Sequence, residues 1–109
     1  MLLFIVKHYV CDFVLQNSWQ AIGKAKTKGW ILPLLVHSVI NATGTAIILL
    51  VFGSPYWLVF GLSEIAVHFI IDRIKTKVPV VKDSRAYWLV FGADQTLHLI
   101  WLYLVSLSL

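Results

Sequence analysis

Acidic residues are scarce in this chain and charge is absent from a long central stretch. Among 109 residues there are five Asp and Glu against nine Lys and Arg, and Ile31 to Ser63 contains none of the four. With 60% hydrophobic residues, only 13% charged and a mean hydropathy of +0.85, the sequence carries more apolar surface than a soluble core of this size can hide. A single cysteine, Cys11, excludes an internal disulfide, and no Cys-x-x-Cys pair is present for redox chemistry or structural zinc. Cys11 reads as a buried, inert thiol. Gly-x-Ser-x-Gly, His-Glu-x-x-His and a phosphate loop are all missing, so no familiar hydrolase signature assigns a reaction. No internal repeat or low-complexity tract organises the chain.

What is present reads as an integral membrane protein. The uncharged stretch, at about 1.5 Å per residue against a hydrocarbon core of roughly 30 Å, holds most of two crossings, with Gly53, Ser54 and Pro55 marking the turn between them. Four transmembrane helices are expected, at Met1–Gln20, Ile31–Phe52, Tyr56–Lys75 and Ala86–Leu109, forming one all-α bundle over residues 1–109. The first is expected to be retained rather than cleaved as a signal peptide, because Lys7, His8 and Asp12 interrupt its apolar stretch. Eight of the nine basic residues lie in or beside two connections, Lys24, Lys26 and Lys28 in one and Arg73, Lys75, Lys77, Lys82 and Arg85 in the other. The positive-inside rule then puts both basic loops in the cytoplasm and both termini outside. Topology thus accounts for the net charge of +4 and a pI of about 9.4, and nothing groove-reading or aromatic-basic accompanies the charge, so no nucleic-acid partner is expected. Trp19, Trp30, Trp57 and Trp88 fall near the ends of spans, as interfacial anchors do.

Against this background the polar residues stand out. All four histidines and four of the five carboxylates occur inside the expected spans. A charge at the centre of a spanning helix costs about 2.5–3.5 kcal/mol, so four uncompensated carboxylates would cost on the order of 10 kcal/mol. They recur at helical spacing, as His8/Asp12/Gln16, His37/Asn41, Glu64/His68/Asp72 and Asp94/His98, and side chains four apart share a helix face. Counted from the cytoplasmic ends, Asp12, His68 and Asp94 lie about eight residues, roughly 12 Å, deep; His37 and Asn41 bracket that level, and His8, Glu64 and His98 form the next turn outward. Eight donors at matched depth suit a divalent metal, Zn, Mn or Fe, with room for two ions. The expected ligands are His8, Asp12, His37, Glu64, His68, Asp72, Asp94 and His98. Asp12, Glu64 and Asp94 are the candidate catalytic carboxylates, while Gln16, Asn41 and Gln95 orient ligands or substrate.

The string His8-Tyr-Val-Cys-Asp12-Phe13-Val-Leu15-Gln16, followed by Lys24, His37, His68-x-x-x-Asp72-x-x-Lys75 and Asp94-Gln95-x-x-His98, resembles a bacterial family of small membrane proteins, domain of unknown function 3307, over nearly the whole chain. In look it is also similar to membrane-bound metal-dependent hydrolases. The resemblance implies the same polar site residues and assigns no reaction.

The leading expectation is a metal-dependent membrane hydrolase of a phospholipid or other amphiphile, with a carboxylate as general base and Arg73 and Lys75 holding an anionic head group. The alternatives are a metal-ion or proton transport subunit, a haem-binding electron-transfer bundle and a structural membrane subunit. Membrane lipid is the expected partner, with a homo-oligomer or a second membrane protein as the other candidates; Gly44, Gly61 and Gly92 would permit close helix packing.

Overall fold

A computed structural model describes residues 1–109 except Ala25, Thr27 and Lys82, together with the side chains of all the others but Ala21. Lys82, one of the expected cytoplasmic charges, therefore lies outside the described residues. Every regular element among the described residues is helical: α1 (Leu2–Tyr9), continued by a π-helical turn (Val10–Val14), then α2 (Ser18–Gly23), α3 (Ile31–Val51), α4 (Trp57–Lys77) and α5 (Arg85–Ser106).

Local chemistry explains most boundaries. After Val51 the chain closes a C-terminal cap in which Gly53 donates to Leu50 O (3.0 Å) and Ser54 to Leu49 O (2.9 Å). Gly53 stands at φ 72°, where a side chain would be strained. The short connection that follows makes α3 and α4 an antiparallel hairpin with the most extensive interface in the molecule. Val78, extended ahead of Pro79, stops α4, and Ser84 caps α5 by accepting from Tyr87 N at 3.1 Å. Helices α3 and α5 are long and apolar enough to cross a membrane by length and composition.

The first expected span departs from expectation. Rather than one helix over Met1–Gln20, the chain is helical over Leu2–Val14, roughly 20 Å at helical rise, and breaks before Asn17, whose side chain accepts from Gln20 N (2.9 Å) to start α2. Asn17-Ser18 is an N-terminal capping signal, and it outweighs the continuing apolar run around it. The break turns α2 onto α3 and carries Gln20 inward.

Polarity is inverted relative to a water-soluble protein. Among the described residues fourteen polar or charged side chains are buried against seven apolar ones, while large apolar side chains cover the exterior. A small apolar plug of Phe4, Leu49, Leu102 and Val105 fills one end, and the polar side chains occupy the middle. Lys7 shows how tightly they are fitted. It reaches Glu64 at 2.7 Å with both side chains almost completely buried, and a Cβ at Gly44 would meet its Cγ at 2.8 Å. Gly44 is thus the space that the lysine stem occupies. Gly61 lies against Ala46 at the α3–α4 interface, whereas a Cβ at Gly92 would meet nothing within 4 Å.

Gly44→Val should push the Lys7 stem aside and leave Glu64 buried without its cation, a loss of about 3–5 kcal/mol that would show as a lower Tm in detergent. Lys7→Met combined with Glu64→Gln should melt closer to wild type than Lys7→Met alone. Equal melting of the single and double variants would show that the two residues are not an energetic unit.

Candidate metal centre

Four side chains from three elements converge between α1, α3 and α4. Asp12 comes from the π-helical turn, His37 from the first half of α3, and His68 and Asp72 from successive turns of α4. His37 Nε2 lies 3.3 Å from Asp12 Oδ1 and 3.4 Å from Asp72 Oδ2; His68 Nε2 lies 3.7 Å and 3.4 Å from the same two oxygens. A tetrahedral ion with bonds of about 2.0–2.2 Å sets its ligand atoms about 3.3–3.6 Å apart, because a tetrahedron's edge is about 1.63 times its centre-to-corner distance. Three of the four nitrogen–oxygen separations fall in that range, and His68 Nε2–Asp12 Oδ1 is slightly longer. Buried groups able to hold a metal are Asp12/His37/His68 and His68/Asp72/His98.

The surroundings orient these atoms as ligands are oriented. Gln20 Oε1 lies 3.3 Å from His37 Nδ1, and in the tautomer in which Nδ1 donates to it the lone pair of Nε2 faces the two carboxylates. Nε2 is itself buried and without a hydrogen-bond partner. A nitrogen lone pair facing two carboxylate oxygens is repulsive unless a cation or a proton lies between them. Asn41 Nδ2 donates to Asp12 Oδ1 (3.1 Å), and Lys24 Nζ to Asp72 Oδ2 (2.9 Å). The carboxylates' remaining oxygens are held by two further histidines, Asp12 Oδ2 by His8 Nε2 (3.3 Å) and Asp72 Oδ1 by His98 Nε2 (3.2 Å). The π-helical turn, one residue wider than an α-helical turn, presents Cys11 and Asp12 to the interior together, and Cys11 is buried as expected.

Not every expected residue joins this group. Glu64 sits on Lys7, one turn away, so its charge is already balanced and it stands apart from the cluster. Asp94 is bound by Lys75 Nζ (3.1 Å) and Gln95 Nε2 (2.9 Å) and reaches the cluster only through His98, 3.2 Å from its Oδ1. Of the layer expected to join Asp12, His68 and Asp94, Asp12 and His68 meet, while Asp94 on α5 stands outside it and Asp72 joins the pair instead. His8 faces Gln95 (2.8 Å) as well as Asp12. Arg73 turns away, with its guanidinium 3.8 Å above the Trp30 ring and Nη1 donating to Lys24 O and Lys26 O. Gln16 borders a small polar cavity, about 40 Å³, beside Asp12, Lys24, Asp72, Lys75 and Asp94, and its Oε1 is buried without a partner. Sequence reasoning passed over Lys7, Lys24 and Gln20. A lysine at position 7 inside an apolar run was the available signal, since such a charge requires a partner.

Fold and site together define a class: an all-helical protein, two of whose helices can cross a membrane, built around a buried cluster of His and Asp able to hold a metal ion. Within that class, the chain belongs to the family described as "Protein of unknown function (DUF3307)", matched over residues 1–109. No curated protein and no solved structure matches it.

Gln20→Ala should weaken metal binding about 10–100-fold, the usual effect of removing the group that orients a ligating histidine, while Gln95→Ala, whose partners are His8 and Asp94, should weaken it less. Titration of the purified protein with zinc against a chromophoric competitor measures both. A chelator should lower the Tm more at pH 8 than at pH 5, because protons compete for the same imidazoles and carboxylates at low pH.

Proposed function

We propose that this chain is a metal-dependent hydrolase embedded in the bacterial inner membrane, acting on a phospholipid or another amphiphile. The observation that carries this reading is the convergence of Asp12, His37, His68 and Asp72, with nitrogen–oxygen separations of 3.3, 3.4, 3.7 and 3.4 Å. A ring nitrogen ligates one ion, and both candidate groups use His68, so the centre takes a single divalent ion, with zinc suiting the donor set best.

Four crossings accommodate the inverted polarity, the first helix with its π-helical turn and α4 joining α3 and α5 to close the bundle. The basic connections lie side by side at one end, as Arg73 bridging to Lys24 O and Lys26 O requires, and that end is the cytoplasmic one, leaving both termini outside.

The ion supplies a Lewis acid beside the polar cavity. Asp94 lines that cavity without belonging to the four converging groups; Lys75 and Gln95 anchor its Oδ2, while its Oδ1, 3.2 Å from a His98 Nε2 that is bonded to Asp72, accepts no hydrogen bond. It is the carboxylate placed to take a proton from an attacking water. Asp12 serves as ligand, and Glu64, held by Lys7, takes no part in proton transfer.

A second reading, a proton path, is favoured by one observation: His8, Asp12, His68, Asp72, His98 and Asp94 form a chain with no N···O step longer than 3.7 Å. A haem slot is disfavoured, because His68 and His98 stack with centroids 4.1 Å apart and leave no room for a porphyrin between them.

Elemental analysis of the detergent-purified protein should find about one equivalent of metal, lost in His37→Ala and His68→Ala and kept in Asp94→Asn. Asp94→Asn should slow lipid hydrolysis in mixed micelles about 10²–10⁴-fold, the range for removing a general base. Full metal content in both histidine variants would overturn the centre; chelator-insensitive proton flux in proteoliposomes would favour the path. Cysteines replacing Lys26 and Pro55 should label from the cytoplasmic and outer sides respectively, and the reverse would overturn the orientation.

A further inference from the structure

Two cavities, one of them bordering the candidate metal centre, meet at Lys75 and Asp94. One is the polar cavity described above, bordered by Lys24 and Lys75. The other is an apolar cleft of about 190 Å³ between α4 and α5, walled by Ile74, Val90, Ala93 and Leu97 and ending on the same Lys75–Asp94 pair. A further apolar hollow of about 300 Å³ shares Lys75, Val78 and Val90 with the cleft and Phe91 with the polar cavity. The α4–α5 interface is much slighter than that of α3 and α4, so the bundle is parted along this seam.

We infer that the seam admits the acyl chain of a membrane lipid whose phosphate head group is gripped by Lys24 and Lys75 beside the metal centre. This deepens the proposed function and rests on it. At about 10–15 Å³ for each water-sized occupant, the polar cavity has room for about three, matching the three oxygens that a phosphate monoester presents. Charge decides when it binds. Asp12, Asp72 and Asp94 contribute three negative charges at the cavity and Lys24 and Lys75 two positive ones. The empty site therefore repels an anion, and a divalent ion reverses the balance to net positive. With Asp72 engaged by the ion, the Lys24 ammonium, 2.9 Å from its Oδ2, is released to donate to the head group. For a lipid already in the bilayer the cleft adds little affinity, because the tail leaves surroundings as apolar as those it enters, whereas a short-chain lipid drawn from water gains by burying its tail there. Its role is access: a head group tethered to a tail in the bilayer reaches the cavity sideways, without crossing the apolar plug. Arg73, occupied by Trp30, is not part of the grip.

The test is calorimetric titration of the detergent-purified, zinc-loaded protein with three probes: dioctanoyl phosphatidic acid, dioctanoylglycerol, which lacks the phosphate, and inorganic phosphate, which lacks the tail. Metal content is read in the same samples. Phosphatidic acid should bind at least about tenfold more tightly than either other probe, and chelation should abolish its binding. Lys24→Met and Lys75→Met should each weaken it about tenfold, the loss of one charge-assisted hydrogen bond. Ala93→Trp, at an exposed position on the cleft wall, should weaken phosphatidic acid while leaving metal content and phosphate binding unchanged. Equal binding of dioctanoylglycerol would overturn the head-group grip. Phosphate binding as tightly as phosphatidic acid, with Ala93→Trp silent, would show a site for the free anion and overturn the lipid assignment. Either result with zinc retained leaves the metal centre standing; failure to retain zinc would overturn the proposed function and this inference together.

Discussion

Four carboxylates buried among helices must each be offset, and the arrangement of this molecule follows from how that is done. Glu64 takes Lys7, Asp94 takes Lys75 and Asp72 takes Lys24, each at a hydrogen-bonding distance. Asp12 has no lysine. It is offered instead His8, His37, His68 and the amide of Asn41, all of which are neutral unless a proton or a metal ion joins them. Three lysines against four carboxylates leave Asp12 to be offset by imidazoles and an amide, where two carboxylates and two imidazoles converge. The charge shortfall and the geometry point to the same place.

The rest of the fold serves this balance. Gly44 is small because the Lys7 stem passes over it. The π-helical turn widens α1 where Asp12 and Cys11 must both face inward. The break before Asn17 costs a continuous span but swings Gln20 under His37, which decides which nitrogen of that ring faces the carboxylates. The tight α3–α4 hairpin supplies three of the four converging groups from one rigid unit, whereas the loosely joined α4–α5 seam leaves apolar space next to the polar cavity. The four converging groups are thus held by the closely packed helices, and the apolar space lies along the slighter interface.

Much of this was legible beforehand. The uncharged stretch, the capped turn at Gly53 and the basic clusters mark α3, α4 and α5, because hydropathy and capping are local properties that a sequence displays directly. His8/Asp12, His68/Asp72 and Asp94/His98 each form the i,i+4 contact that their spacing implies. The depth argument brought Asp12 and His68 together but not Asp94, which touches the group only through His98, since counting from span ends does not register how α5 is set against α4. Arg73 and Lys24 changed places for a related reason. Both are basic and near one loop, and only packing against Trp30 turned the arginine outward while Lys24 reached Asp72.

Composition and periodicity by themselves determined that the chain is helical, that its polar residues form stripes and that these stripes face inward, because burial of apolar surface and the 3.6-residue repeat act within each segment independently of its neighbours. Which carboxylate pairs with which cation, which ring nitrogen is left without a partner and which seam stays open were decided only when the helices met. Those are properties of atoms brought within about 3–4 Å of one another from distant parts of the chain, where charge and hydrogen-bond geometry fall off too steeply for spacing along a single helix to specify them.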